Sequence, residues 1–184
     1  MPFRLFAVIL FMLSGFLGCK SPESRRPTQQ STGSSIEASV ARNIKRFAAE
    51  VQAIETYIAQ DTTHAYQTSA DGFWYAYDLK VAIEAPTPVT GSEVSFSYEV
   101  KDLNGLTILS YDEVGTVQYL VDQSKQDLIS GIREGIKLMK AQEIITLVLP
   151  SYKAYGYYGL EGKIGANTPI VVSLKLNQMS NLDN

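Results

Sequence analysis

The residues best suited to specific chemistry lie near the C-terminus, in the stretch PSYKAYGYYGLEGKIGANTP. A phenol combines an apolar ring with one hydroxyl that can donate a hydrogen bond. Glycine allows sharp turns and a close approach of the backbone to a bound chain. Few charges interrupt the stretch, so it predicts a loop that contacts something apolar and extended. Its tyrosines are Tyr152, Tyr155, Tyr157 and Tyr158, and its glycines are Gly156, Gly159, Gly162 and Gly165.

Residue types that carry proton, metal or phosphate chemistry are sparse in the rest of the sequence. The one histidine, His64, stands in a polar stretch without a partner at metal-ligand spacing, and we predict a solvated loop residue there. A single cysteine excludes an internal disulfide and a multi-cysteine zinc site. Neither common glycine-rich phosphate motif occurs. We therefore expect no metal and no cofactor, and we assign turns and exposed strand positions to Asp112, Glu113, Asp122 and Asp127.

Length and charge narrow the class of protein further. The chain has 184 residues, of which 45% are hydrophobic and 19% charged, and its formal net charge is −3. This length suits one domain of about 100–150 residues with appendages. Because the chain is acidic and has no basic run, nucleic acid is not expected to be its main partner.

The first residues predict export and lipid anchoring. An early cation, Arg4, precedes an apolar run over residues 5–17, which is too short to span a bilayer and typical of a signal peptide. The tetrad Phe16-Leu17-Gly18-Cys19 resembles a bacterial lipobox, in which cleavage occurs before a lipidated cysteine. We predict a lipoprotein signal peptide over residues 1–18 and lipidation of Cys19. The alternative is a free thiol in an ordinary signal peptide or short membrane anchor.

Lys20, which follows the cysteine where aspartate would signal retention, favours the outer membrane of the cell envelope, on either its periplasmic or its surface face. Residues 19–35 are rich in Ser, Pro, Gln and Arg and are predicted to form a flexible tether.

Residues 36–62 show the pattern of an amphipathic helix. Apolar residues recur at alternating spacings of four and three, close to a heptad repeat. The helix either packs on its own domain or mediates a homodimer through residues 36–61. The apolar stripe comprises Val40, Ile44, Phe47, Val51, Ile54 and Ile58. In the dimer interpretation, the solvated side comprises Arg42, Lys45, Arg46, Glu50 and Glu55.

From residue 72 onward the apolar period becomes two, as in β-strands. The stretch SEVSFSYEVKD places Val94, Phe96, Tyr98 and Val100 on one face. Asn104-Gly105 predicts a hairpin, because this dipeptide readily takes positive φ angles. One short amphipathic helix is expected in QDLISGIREGIKLMKAQ. The result is an α+β fold with a mostly antiparallel sheet wrapped around one helix.

The stretch DLISGIREGIKLMKAQEIITLVLPSYKAYG resembles the FKBP family of peptidyl-prolyl isomerases. Leu128-Ile129-Ser130-Gly131, Pro150, Ala154-Tyr155-Gly156 and Ile164 with Asn167 match the family pattern. The resemblance covers about residues 72–178 and implies an FKBP-like half-barrel isomerase domain over residues 72–180. The stretches GFWYAYDLK, KDLNG and GIREGIKLMK, behind a lipobox, look like the gliding-motility-associated FKBP-type lipoproteins.

The resemblance also implies a substrate pocket. In the family, the tyrosine that corresponds to Tyr155 donates a hydrogen bond from its hydroxyl to a substrate carbonyl. The backbone N–H of the residue that corresponds to Ile129 also donates to the substrate. Ile132 stands where tryptophan is usual, and Ile108-Leu109 replaces a Phe-Asp pair, so a shallower, more aliphatic pocket without that carboxylate is expected. The implied pocket residues are Tyr98, Tyr119, Leu128, Ile129, Ile132, Tyr155, Ile164 and Val172, the last in place of phenylalanine.

The implied function is prolyl isomerisation that assists the folding of exported or cell-envelope proteins, with gliding-motility proteins among them. Its partners would be proline-containing polypeptides, with the membrane contacted through the lipid on Cys19. One alternative is a non-catalytic chaperone or assembly factor that uses the same cleft in an envelope motility or secretion machine. A docking module presented on the lipid tether is a further alternative.

Overall fold

The computed structural model describes residues 33–125 and 127–180. The predicted signal peptide, Cys19 and nearly all of the predicted tether lie outside these residues. Within the described ranges, no helix is both long enough and apolar enough to cross a membrane.

One antiparallel sheet of seven strands forms the main structural unit. In chain order the strands are β1 (Gln67–Thr68), β2 (Trp74–Leu79), β3 (Glu93–Lys101), β4 (Thr107–Leu109), β5 (Val117–Leu120), β6 (Ile144–Leu149) and β7 (Ile170–Ser180). Their order across the sheet is β1-β2-β6-β7-β3-β4, and β5 pairs with the first half of β3. The long strands β3 and β7 pair along their length. The predicted α+β class with an antiparallel sheet is confirmed.

Within the described residues, three α-helices and one 3₁₀ turn accompany the sheet. They are α1 (Gly33–Gln60), α2 (Tyr111–Val114), α3 (Ser130–Ile136) and the 3₁₀ turn η1 (Ser151–Lys153). The short α2 was not anticipated, because four residues are too few to show a helical period. It is capped by Ser110, whose side chain accepts a hydrogen bond from the Glu113 N–H.

Two glycines bring α3 directly against the sheet. A Cβ atom on Gly131 would lie 2.5 Å from a methyl carbon of Leu149, and one on Gly135 would lie 2.7 Å from a methyl carbon of Leu147. Both leucines belong to β6. The neighbouring side chains Ile132 and Ile136 are fully buried in the hydrophobic core. Burial of each contributes about 1.5–3 kcal/mol, so this contact fixes α3 on the sheet.

The hairpin between β3 and β4 forms where the sequence predicts it, but by a different turn. Gly105 has a φ of 85°, whereas Asn104 does not take a positive φ angle. The carboxylate of Asp102 accepts hydrogen bonds from the N–H groups of Asn104 at 2.9 Å and Leu106 at 2.8 Å. The side chain of Asp102 therefore stabilises the turn, whereas the sequence predicts a turn formed by the backbone conformation of Asn104.

The apolar stripe of α1 is divided between two environments. In the C-terminal half Ile54 is fully buried, so this half packs on its own domain. In the N-terminal half Val40, Ile44 and Phe47 are 50%, 65% and 49% exposed. Glu50, predicted to be on the solvated side, is buried instead and accepts hydrogen bonds from Ser151.

His64 joins the end of α1 to strand β2, which corrects its assignment as a solvated loop residue. Its Nδ1 lies 2.6 Å from Oδ2 of Asp61, and its Nε2 lies 2.6 Å from Oδ1 of Asp78. Asp61 directly follows α1, and Asp78 lies in β2. The hydroxyls of Tyr66 and Thr146 donate to these carboxylates at 3.0 and 2.9 Å. Among the described residues, no group of three or more His, Cys, Asp or Glu side chains has the arrangement of a metal site.

The two carboxylates favour the charged form of His64. Burial by itself would lower the pKa of His64, but the hydrogen bonds and charges of Asp61 and Asp78 raise it above its ordinary value. Burial would likewise raise the pKa of Asp61, yet hydrogen bonds from Thr63, His64 and Tyr66 hold it well below its usual range. Tyr57 also faces this cluster from α1.

His64→Gln is expected to destabilise the protein in a pH-dependent manner. Because the pKa of His64 is raised in the folded state, its interactions stabilise the fold fully at a pH below the unfolded-state pKa of about 6.5. This stabilisation is lost as the pH rises through the folded-state pKa. The difference in free energy of unfolding between wild type and variant should therefore be largest near pH 6 and shrink towards pH 9. Urea denaturation across this range measures it, and a difference independent of pH would contradict the assignment.

Candidate active site

A small cavity of about 210 Å³ lies between β3, β5 and the segment before α3, with Tyr155 from the loop that follows β6. Cavities that hold drug-sized ligands are usually about 300–1,000 Å³, so this one suits a single side chain. Four of the predicted pocket residues meet here: Tyr98, Leu128, Ile129 and Tyr155. All four are partly buried and pack against the hydrophobic core.

Three of the four are held by an identifiable local structure. Tyr98 projects from β3 with its ring stacked on that of Phe96, the centroids being 6.1 Å apart. The Leu128 carbonyl accepts a hydrogen bond from Nε of Arg133 at 3.0 Å. Ile129 is the N-cap residue of α3, with an extended backbone. No backbone acceptor among the described residues pairs with the Ile129 N–H.

The hydroxyls of Tyr98 and Tyr155 can donate to a ligand. Burial and the neighbouring Tyr98 raise the pKa of Tyr155 to about 12. Burial and the negative charge of Asp127 likewise raise the pKa of Tyr98. Both phenols therefore stay protonated at physiological pH. Within the described part of the chain, neither hydroxyl has a hydrogen-bond partner in the protein.

The other four predicted residues lie in the core on which the cavity residues pack. Ile132 and Val172 are fully buried, Tyr119 is 1% exposed and Ile164 is 5% exposed. The Tyr119 hydroxyl accepts a hydrogen bond from the Asp122 N–H at 2.9 Å, which fixes its ring within the core. The structure therefore does not bring all eight predicted residues to the surface of the cavity.

Three further cavity residues were missed by the sequence reasoning: Val117, Lys125 and Asp127. Val117 stands two positions before Tyr119 on β5, so period-two alternation could have placed it on the same face. For Asp127 the sequence predicts only a turn or an exposed strand position. Its carboxylate lies at the cavity, although the family's usual aspartate is absent because Ile108 and Leu109 stand where the family pattern has its Phe-Asp pair.

A larger cleft of about 500 Å³ lies elsewhere on the sheet, at the start of β3 and the end of β7. Its walls carry mainly hydroxyl and amide side chains, including Ser95, Gln142 and Asn177, and none of the predicted pocket residues. The smaller cavity is the better candidate, because burial of an apolar group needs apolar walls.

Glycines shape the loop between η1 and β7. Gly156, Gly159 and Gly162 have φ angles of 60°, 68° and 70°, whereas Gly165 has no positive φ angle. The Gly156 carbonyl accepts a hydrogen bond from the Asn167 N–H at 2.7 Å, which draws the two ends of the loop together. Leu160 and Ile164 pair as an isolated β-bridge inside it.

The other tyrosines of this segment divide into two roles. Tyr152 is structural: its hydroxyl donates to the Gly72 carbonyl at 2.8 Å, and its ring lies 6.0 Å from that of Phe47. Tyr157 and Tyr158 are 71% and 93% exposed and contact each other edge to face. Their exposure excludes core packing and leaves them available to a bound chain.

Sequence comparison decides the family. The family described as FKBP-type peptidyl-prolyl cis-trans isomerase matches residues 85–177. This chain belongs to that family. The resemblance to the FKBP family is thereby confirmed, and the cavity of the FKBP-type domain lies within the matched region. Among curated proteins, no sequence matches the chain significantly.

Solved structures share the fold of this FKBP-type chain. A peptidyl-prolyl cis-trans isomerase from Pseudomonas syringae pv. tomato is 24% identical, with a TM-score of 0.56 over 73% of this chain and 96% of that one. FkpA from Escherichia coli is 21% identical, with a TM-score of 0.58 over 100% of this chain and 84% of that one. The N-terminal domain of FKBP42 from Arabidopsis thaliana is 13% identical, with a TM-score of 0.57 over 66% and 96%.

Gly159→Ala is expected to disturb the loop of the FKBP-type domain far more than Gly162→Ala. Both positions have a similar positive φ angle, which costs an L-residue about 1–2 kcal/mol. Only at Gly159 would the new Cβ collide with backbone, 2.2 Å from the Ile164 carbonyl oxygen, whereas Gly162 faces open space. Thermal unfolding and NMR spectra of the loop measure the difference. Equal effects of the two substitutions would contradict the assigned contact.

Proposed function

We propose that the chain catalyses cis-trans isomerisation of X-Pro bonds in exported or cell-envelope polypeptides. One observation carries the proposal: a small cavity presents two protonated phenol hydroxyls and a backbone N–H without partners among the described residues. An X-Pro segment has a compact apolar ring flanked by carbonyl acceptors. The proline ring would enter the cavity, and the donors would bind the flanking carbonyls.

Such a site needs no acid or base. Amide resonance gives rotation about an X-Pro bond a barrier of roughly 18–20 kcal/mol. The twisted transition state has lost this resonance and is less polar at the carbonyl than either planar isomer. Transfer from water to apolar walls therefore favours the transition state over the ground state, which is the condition for catalysis.

Hydrogen bonds would confine the rotation to one bond. The Tyr155 hydroxyl and the Ile129 N–H would hold the backbone on either side of the proline. Leu128 and Val117 supply apolar wall. Asp127 and Lys125 line the same cavity, so side chains next to the proline would meet charges of both signs.

Tyr155→Phe is expected to lower kcat/KM for a prolyl peptide about two- to twelvefold, since one hydrogen bond to substrate contributes about 0.5–1.5 kcal/mol. Tyr157→Phe is the matched control: it removes a phenol hydroxyl from the same loop at an exposed position, and activity should not change. NMR exchange spectroscopy on a proline-containing peptide measures the rates, with the full chain in detergent. A folded wild-type chain without any rate above background would refute the proposal.

A non-catalytic chaperone is the second candidate, and the exposed pair Tyr157 and Tyr158 favours it, since exposed aromatic rings suit contacts with unfolded chains. The Tyr155→Phe variant separates the two functions. Suppression of client aggregation that persists while isomerisation falls would assign the two functions to different parts of the loop.

We also propose anchoring in the cell envelope through lipidated Cys19, probed by fatty-acid labelling that should be lost in Cys19→Ser. This proposal rests on the sequence, since Cys19 lies outside the described residues. The outer membrane and gliding-motility clients belong to the same proposal, supported by the lipobox and by the resemblance to gliding-motility lipoproteins.

Homodimerisation through α1 is a further part of the proposal. It is supported by the exposed apolar stripe of Val40, Ile44 and Phe47, since such a stripe on a helix suits a coiled-coil-like contact. Ile44→Asp should abolish the dimer, because it places a charge in the contact. Ala53→Asp, at an exposed position off the stripe, should not. Cross-linking and sedimentation at several concentrations measure the association, and a monomeric wild type would refute the dimer.

A further inference from the structure

The buried carboxylate of Glu50 is bonded to the base of the loop that carries Tyr155. One oxygen accepts the Ser151 N–H, and the other accepts the Ser151 hydroxyl at 2.9 Å. Glu50 is 8% exposed and Ser151 is 6% exposed. The two residues are 101 positions apart in the chain. A helix that precedes the matched isomerase region therefore reaches into the structure of the candidate site.

A buried carboxylate is an unusual choice if stability alone matters. Among the ion pairs of the described residues, none involves Glu50, so no cation offsets its burial. Burial of a charge is costly unless hydrogen bonds satisfy it, and an apolar residue in such a place is often as stable. What a carboxylate supplies, and an apolar side chain cannot, is two directed acceptors that fix the orientation of Ser151.

Ser151 in turn fixes the backbone around Tyr155. The Ser151 carbonyl accepts hydrogen bonds from the Ala154 N–H at 3.0 Å and from the Gly156 N–H at 2.8 Å. Tyr155 lies between these two donors. The position of Ser151 thus determines where the Tyr155 backbone lies, and with it the direction from which the phenol enters the cavity.

The neighbouring residues of η1 are tied to other elements. The Tyr152 hydroxyl bonds the Gly72 carbonyl before β2, and Lys153 forms an ion pair with Glu134 of α3 at 2.7 Å. Three successive residues are thus held by three separate parts of the fold. Of these contacts, the one from Glu50 is the most buried.

We propose that Glu50 is a positioning residue for the isomerase reaction: through Ser151 it sets the Tyr155 hydroxyl over the cavity. This inference rests on the proposed function and extends the site to a residue of α1. It assigns α1 a role in isomerase activity, in addition to the dimerisation proposed for its exposed apolar stripe.

Glu50→Gln tests the role, because it keeps the size of the side chain but leaves one acceptor where there were two. Glu55→Gln, an exposed position on the same helix, is the matched control. In the full chain in detergent, Glu50→Gln should lower kcat/KM about three- to tenfold at temperatures well below unfolding, while Glu55→Gln leaves it unchanged. Ser151→Ala, which removes the hydroxyl donor and keeps the N–H, should have a smaller effect in the same direction.

The double variant distinguishes positioning from general destabilisation. If Glu50 acts through Tyr155, Glu50→Gln should change kcat/KM less than twofold in a Tyr155→Phe background. The reason is that the hydroxyl to be positioned is absent from this background. Its effect on the unfolding temperature should be the same in both backgrounds. Activity losses that multiply in the double variant would overturn the proposal.

Hydrogen exchange gives a readout that does not depend on activity. The N–H groups of Gly156 and Asn167 should exchange faster in Glu50→Gln, because their acceptors lie in the segment that Glu50 holds, while the core of β3 and β7 should be unchanged. Uniform acceleration across the core would overturn the proposal. A wild-type chain without isomerase activity would refute the proposed function, and local acceleration in the variant would still support the structural coupling of Glu50 to the loop.

Discussion

The close contact between α3 and β6 is the constraint on which the candidate site depends. Because Gly131 and Gly135 have no side chains, the helix lies directly on Leu147 and Leu149. That contact places the two sides of the cavity next to each other. Ile129 immediately precedes α3, and Tyr155 lies a few residues beyond the end of β6. A Cβ on Gly131 would also approach the Lys153 carbonyl to 3.0 Å, so the helix and the loop share one close packing arrangement.

In the proposed function, the site acts by its environment rather than by proton transfer. Its two phenols remain protonated, and the residues that carry its donors line a cavity that a proline ring could fill. Such a site tolerates change in individual wall residues more readily than a catalytic triad does, since apolar burial is not directional. Ile132, which stands where tryptophan is usual in the family, is fully buried in the core and does not line the cavity.

Prediction from the sequence succeeded where a local pattern carries the information. Period-two alternation located β3, and the turn residues located the hairpin. The family resemblance brought Tyr98, Leu128, Ile129 and Tyr155 to one cavity. The other residues implied by the resemblance, Tyr119, Ile132, Ile164 and Val172, lie in the core. Alternation assigns a residue to a face of a sheet, but the depth of burial on that face depends on what covers it.

The sequence by itself determined the α+β class, the segments of α1, β3 and α3 and the glycine-rich character of the Tyr155 loop, because these depend on neighbouring residues and on local backbone preferences. Its motifs also determined the isomerase family, by resemblance. Tertiary structure decided the roles of residues that pair across the chain. Glu50 had the spacing of a solvated helix face, and His64 had the surroundings of a polar loop. Their partners, Ser151 and Asp78, are 101 and 14 positions away. The pattern of neighbouring residues does not reveal such pairs, because a charged side chain is buried only where folding brings distant donors or countercharges to it.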